Sequence, residues 1–91
     1  MKKAILKAEK GVIELELGIQ DDFISFLKVT GDFFIYPEEA LEILEIKMLT
    51  TKLDDNSIRE KMSQIYAEEN LITPGITIEN WVELFMLAIN S

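Results

Sequence analysis

The sequence predicts an α+β domain: a three-stranded antiparallel sheet over roughly residues 3–31, followed by three helices packed on one face of it. Three observations carry this. Up to Thr30 the chain alternates apolar and polar residues in short runs broken by polar turns. At Gly31-Asp32-Phe33-Phe34 the alternation stops, and Pro37-Glu38-Glu39 opens a helix. From there to Ser91 the apolar residues recur only at helical spacing.

Ala4-Ile5-Leu6-Lys7-Ala8-Glu9 reads as the first strand, with Lys10-Gly11 as a tight turn. In the second strand Ile13, Leu15, Leu17 and Ile19 point one way and Glu14, Glu16 and Gly18 the other, so one face is wet. Gln20-Asp21-Asp22 forms a short loop into the third strand, Phe23 to Thr30, which is apolar on both sides and is expected to lie deeper. Loops this short make an antiparallel meander.

Pro37 suits the first turn of a helix, where its missing N–H has no bond to make, and Glu38 and Glu39 complement the positive end of the dipole. This helix runs to Leu49, with Ala40, Leu41, Leu44 and Met48 as its core stripe and Ile43, Ile46 and Leu49 widening it. Asp54-Asp55-Asn56-Ser57 signals a second helix start, Ser57 and Glu60 having capping-box spacing, and Ile58, Met62, Ile65 and Tyr66 follow as a stripe. The helix ends near Asn70, and Ile72-Thr73-Pro74-Gly75 is a turn. Thr77 caps a third helix over 77–90, with Glu79 in its first turn and Ile78, Trp81, Val82, Phe85 and Ile89 on one face. Leu84, Met86, Leu87 and Ala88 fall outside that face. A helix apolar nearly all round is either sandwiched in a core or facing a partner.

The 91 residues make one domain, 1–91, with a single modest core and no room for a deep cleft. The net charge is −8 and the pI about 4.4, with nine basic residues against seventeen acidic ones and no basic block. Nucleic acid and anionic membrane surfaces are excluded as partners on that ground, and a basic protein surface suits the chain better. No apolar run spans a bilayer, and Lys7, Glu9 and Lys10 interrupt any signal-peptide core, so a soluble cytoplasmic protein is expected. Cysteine and histidine are absent, which removes thiolate chemistry, typical zinc sites and the usual proton shuttle near neutral pH.

The remaining chemical candidates have plain readings. Asp21-Asp22 fits a hairpin loop and Asp54-Asp55 a helix cap rather than an acid–base pair, and the second lacks the glycine and terminal glutamate of a calcium loop. Lys10-Gly11 is an exposed turn or a lysine aimed at a phosphate held by a neighbouring domain. Asp32 either bonds its own backbone or stands at an interface. Phe33 and Phe34 do not face the same side: one belongs to the core, the other to the core or a contact surface.

The run Gly11-Val12-Ile13-Glu14-Leu15-Glu16-Leu17, the acidic hairpin and the strand ending in Gly31-Asp32-Phe33-Phe34 resemble the small accessory domain of lipoate–protein ligase. That domain also continues with an acidic helix and a second helix, so the resemblance covers nearly the whole chain. Many members carry a lysine where Val12 stands and a glycine where Thr50-Thr51 stand. The resemblance implies a large catalytic subunit that binds lipoate, ATP and magnesium, forms lipoyl-adenylate and transfers the lipoyl group to an acceptor lysine. It implies that the small domain, fused to that subunit or separate from it as in archaea, holds no catalytic, cofactor-binding or metal-binding residue. A chain starting at Met1 and ending soon after the third helix reads as the separate form, partnered with the catalytic subunit in a heterodimer. The expected contact residues are Gly31, Asp32, Phe33, Phe34, Leu84, Leu87 and Ala88, with Trp81 and Phe85 holding the domain's own core. A stand-alone interaction or regulatory module sharing only the small fold is the alternative of a different class.

Overall fold

Alternation in the first third of the chain closes into a meander. In the computed structural model, which covers residues 1–91, strands β1 (Lys2–Ala8), β2 (Gly11–Gln20) and β3 (Phe23–Asp32) are antiparallel neighbours in the order β1-β2-β3. Asp21-Asp22 fills the turn between the paired Gln20 and Phe23, and Asp21 adopts a left-handed φ of 56°. The first turn differs from expectation: Ala8 pairs with Gly11, so Glu9-Lys10 makes the turn and Gly11 already belongs to β2.

The period-two pattern sorts the two faces. Ile13, Leu15, Leu17, Ile24, Leu27 and Val29 are buried beneath the helices, with Ala4, Leu6 and Ala8 of β1 partly buried beside them. The expectation that the third strand lies deeper is corrected. A three-strand meander puts its middle strand at the centre, so β2 is central and β3 is an edge, with Phe23 and Phe26 partly exposed. The register shifts between Gly18 and Ile19, and Gly18 leaves room for Phe26 across the sheet. The rest of the chain covers much of the β3 edge. Ile24 exchanges backbone bonds with Thr50 and Thr51 (2.8 and 3.0 Å), and the Val29 N–H donates to the Glu45 carboxylate at 2.7 Å.

Helices α1 (Ala40–Lys47), α2 (Asp55–Glu69) and α3 (Ile78–Ile89) follow. The first is shorter than Pro37–Leu49. Pro37-Glu38-Glu39 forms a turn whose carbonyls at 37 and 38 accept from Ala40 and Leu41, and Thr50 ends the segment at φ 66°. Ala40, Leu44 and Met48 are buried as expected, but Ile46 is 67% exposed because two residues on from Leu44, at the middle of that stripe, is the opposite side of a helix. The cap of α2 is Asp54 rather than Ser57: its carboxylate accepts from the Ser57 N–H at 2.8 Å and from the Ser57 hydroxyl at 2.9 Å. Asn70 closes α2 in the left-handed conformation, and Thr77 caps α3 with Asn80 completing a reciprocal box.

Helix α3 corrects the expected contact residues. It lies between the β1–β2 part of the sheet and α2, so its apolar arc is wide because it is sandwiched. Leu84 and Ala88 are fully buried and present no surface for docking. The reason is spacing: Trp81, Leu84, Phe85 and Ala88 stand at i, i+3, i+4 and i+7, which is a single core stripe. Leu87 falls on the far arc and is exposed. No helix is long and apolar enough to cross a membrane.

Candidate docking surface

The motifs singled out in the sequence meet at one end of the sheet. Val12 pairs with Asp32 and Ile13 with Gly31, so the start of β2 carries the end of β3. Two glycines make this passage possible. At Gly11 a side chain would run into the Asp32 carbonyl oxygen at 2.7 Å and Phe33 Cβ at 2.8 Å, so its role is close approach. At Gly31 φ is 134°, and a Cβ would collide with the Val12 carbonyl oxygen. The chain therefore leaves the sheet across Gly11 with Phe33 set against the body of the domain.

Alternation persists through the next residues. Phe33 and Ile35 turn inward and Phe34 and Tyr36 outward. Phe33 meets Trp81 edge to face, with ring centroids 5.9 Å apart. Phe34 and Tyr36 stack on the outside at 6.4 Å, nearly parallel, and remain 62% and 47% exposed. Tyr36 exchanges two backbone bonds with Ile72 of the α2–α3 loop, each 2.9 Å, which sets Ile72, 61% exposed, beside the aromatic pair.

A directed chain of hydrogen bonds fixes that loop. The Trp81 indole N–H donates to the Tyr66 hydroxyl oxygen at 2.6 Å, and Tyr66 and Thr73 are joined at 2.8 Å. Thr73 gives its only hydroxyl proton to the Ile76 carbonyl at 2.9 Å, so Tyr66 must be the donor to Thr73. Burial pushes the Tyr66 phenol pKa up, against the opposing pull of its bonds to Thr73 and Trp81. One relay thus ties α2, α3 and the 73–76 loop to the ring that supports Phe33.

Of the expected contact residues, the structure brings Gly31, Asp32, Phe33 and Phe34 together and leaves Leu87 elsewhere, on the exposed arc of α3. Gly31 and Asp32 are exposed, and Phe33 is half-buried. Lys10 stands at the same end, exposed, with its Cβ and Cγ lying over Gly75 where a side chain would otherwise sit. Tyr36 and Ile72 were not among the candidates. The run Phe33-Phe34-Ile35-Tyr36 is apolar throughout, so its residue types do not mark Tyr36 as outward-facing, and Ile72 depends on a bridge between two loops that no local pattern encodes.

Charge is distributed unevenly. Residues 1–32 hold five lysines against six carboxylates, whereas residues 33–91 hold four basic side chains against eleven. Lys47 bonds Glu68 and Glu69 at 3.0 and 2.9 Å, and Arg59 grips Glu79 through two nitrogens at 2.6 and 2.9 Å, joining α1 to α2 and α2 to α3. Hydrogen bonds from these cations hold the Glu68 and Glu79 carboxyls below their ordinary pKa, and the Ser57 backbone N–H does the same for Asp54. No three carboxylates converge as a metal site would require.

Comparison with known proteins gives one consistent result. Residues 2–85 match the family model described as the bacterial lipoate protein ligase C-terminus. Lipoate-protein ligase A subunit 2 of Thermoplasma acidophilum is 29% identical over 77 residues, which is 85% of this chain and 79% of that protein. A chain in the solved structure of an archaeal lipoylation system from the same organism superposes with a TM-score of 0.83 at 27% identity, covering 93% of this chain and 94% of that one. That structure is of a bipartite lipoate protein ligase and its E2 lipoyl domain.

Proposed function

The chain belongs to the bacterial lipoate protein ligase C-terminus family, and from that premise we propose that it is the noncatalytic accessory subunit of a two-component lipoate–protein ligase. In this reading it docks on a catalytic subunit and is required for the ATP-dependent conversion of lipoate to lipoyl-adenylate, which precedes transfer to an acceptor lysine. Lipoate, ATP and magnesium bind on the catalytic partner, and this chain contributes a rigid surface. The observation that carries the reading is the extent of the likeness. The match takes in most of this chain and most of a relative that is itself one subunit of a ligase.

The architecture suits such a role. Binding costs less when the contact groups are already ordered. Here the Phe33–Trp81 contact, the Trp81–Tyr66–Thr73 relay and the Tyr36–Ile72 bridge hold the sheet end and the α2–α3 loop as one body. An accessory subunit of this kind acts by completing and closing the partner's site, which excludes water from an activated intermediate. The test is to mix the chain with the catalytic subunit of the same organism and follow lipoate-dependent pyrophosphate release. The mixture should release pyrophosphate and neither component alone should. Full release by the catalytic subunit alone would refute the reading.

A further inference from the structure

Most large apolar side chains left exposed are scattered, such as Ile46 on α1, Leu87 on α3, and Ile5 and Phe26 on the outer sheet face. Phe34, Tyr36 and Ile72 are different. Two are stacked and the third is clamped beside them by paired backbone bonds, so the cluster is continuous and already ordered. Exposed aromatics on an ordered base are the usual centre of a protein interface, where they insert into a pocket and are ringed by weaker contacts.

We propose that Phe34, Tyr36 and Ile72 form the central contact through which this chain docks on its larger, catalytic subunit, which meets them with an apolar pocket rimmed by basic side chains. The proposal rests on the accessory-subunit reading above and adds the surface and its chemistry. Two observations select this occupant over a second copy of the chain. From their fractional exposures, the three side chains offer about 300–350 Å2. Two copies meeting through them would bury roughly 700 Å2 in total, short of the roughly 1,200–2,000 Å2 of a stable complex, whereas a larger partner can wrap the rim as well. Charge points the same way. Asp32, Glu38 and Glu39 lie within three residues of the patch in the chain and are exposed, against one lysine, Lys10, at the same end, and two copies carrying −8 each repel.

The experiment is calorimetric titration of the catalytic subunit with the wild-type chain, a Phe34→Ala/Ile72→Ser double variant and an Ile46→Ser control. Circular dichroism establishes folding, and sedimentation establishes the state of each chain alone. The wild type and the control should bind alike, with the double variant weaker by about 100-fold or more. A folded double variant that binds like the wild type overturns the proposal while leaving the accessory-subunit reading intact. Self-association of the wild type that the double variant loses overturns it too, since the patch then serves a second copy. A wild-type chain that neither binds the catalytic subunit nor alters pyrophosphate release overturns both. Should the double variant fail to fold, the single variants are compared, each expected to weaken binding about tenfold, and unchanged affinity in both refutes the proposal.

Discussion

Replacing Tyr66 with phenylalanine probes the buried relay that organises the candidate surface. The change keeps the ring and deletes one oxygen, which accepts the Trp81 N–H at 2.6 Å and donates to Thr73 at 2.8 Å. Trp81 is fully buried, so its N–H is left with no partner and no water, while Thr73 keeps its bond to Ile76. An orphaned buried donor costs about 1–3 kcal/mol. In a domain of this size, about 2 kcal/mol lowers the melting temperature by roughly 8–16 °C. Urea denaturation followed by circular dichroism measures the loss, and a Tyr66→Phe/Thr73→Val cycle measures how much of it is coupled. A loss below about 0.5 kcal/mol with no coupling would mean that the relay is not made, and the preordered loop argued from it would fall.

Other outcomes follow from the same geometry. Leu84→Ala should cost about 2–5 kcal/mol in urea denaturation and Leu87→Ala less than about 0.5, because the first is core and the second is on the exposed arc; equal costs would contradict the helix register. Gly11→Ala forces Asp32 and Phe33 away from β2 and should destabilise by about 1–3 kcal/mol, with a changed Trp81 fluorescence spectrum as the Phe33 contact shifts; an unchanged spectrum would argue against the close approach. Because the Tyr66 phenol is raised in the fold, its contribution is fully present below the ordinary tyrosine value of 10.0 and is lost as pH rises through the raised one. Alkaline unfolding should therefore be less steep in Tyr66→Phe. Asp54, Glu68 and Glu79 are lowered in the fold, so their contribution is present above the unfolded carboxyl values and disappears as pH falls through the folded ones. Acid titration of Glu79→Gln should show a smaller dependence than that of the wild type.

Much of this fold is legible in the residues, and the exceptions have physical causes. Period-two alternation located the strands, and Thr77 and Asn70 marked helix ends because a cap and a left-handed closure are local chemistry. The depth of β3 does not follow from its apolar composition, because a meander makes its middle strand central whatever its hydropathy. Leu84 and Ala88 are core and not surplus apolar surface, and their spacing from Trp81 and Phe85 on one stripe makes this legible in the sequence. The Gly31 to Phe34 turn is legible in its residue types, but the passage over Gly11 is not, because it joins two strands through an absent side chain. The Tyr36–Ile72 bridge was out of reach, since two loops thirty-six residues apart meet only in the folded chain.

The claim that this chain serves lipoate activation is tested most directly by separating the two half-reactions of the assembled ligase. Catalytic subunit with lipoate and ATP, and catalytic subunit with preformed lipoyl-adenylate, are each assayed with and without the chain, reading lipoyl-adenylate formed in the first arm and lipoylated acceptor in the second. Adenylate formation is expected to depend on the chain, while transfer from preformed adenylate changes little. Adenylate formation at full rate without the chain, or a chain that affects only the transfer arm, would contradict it.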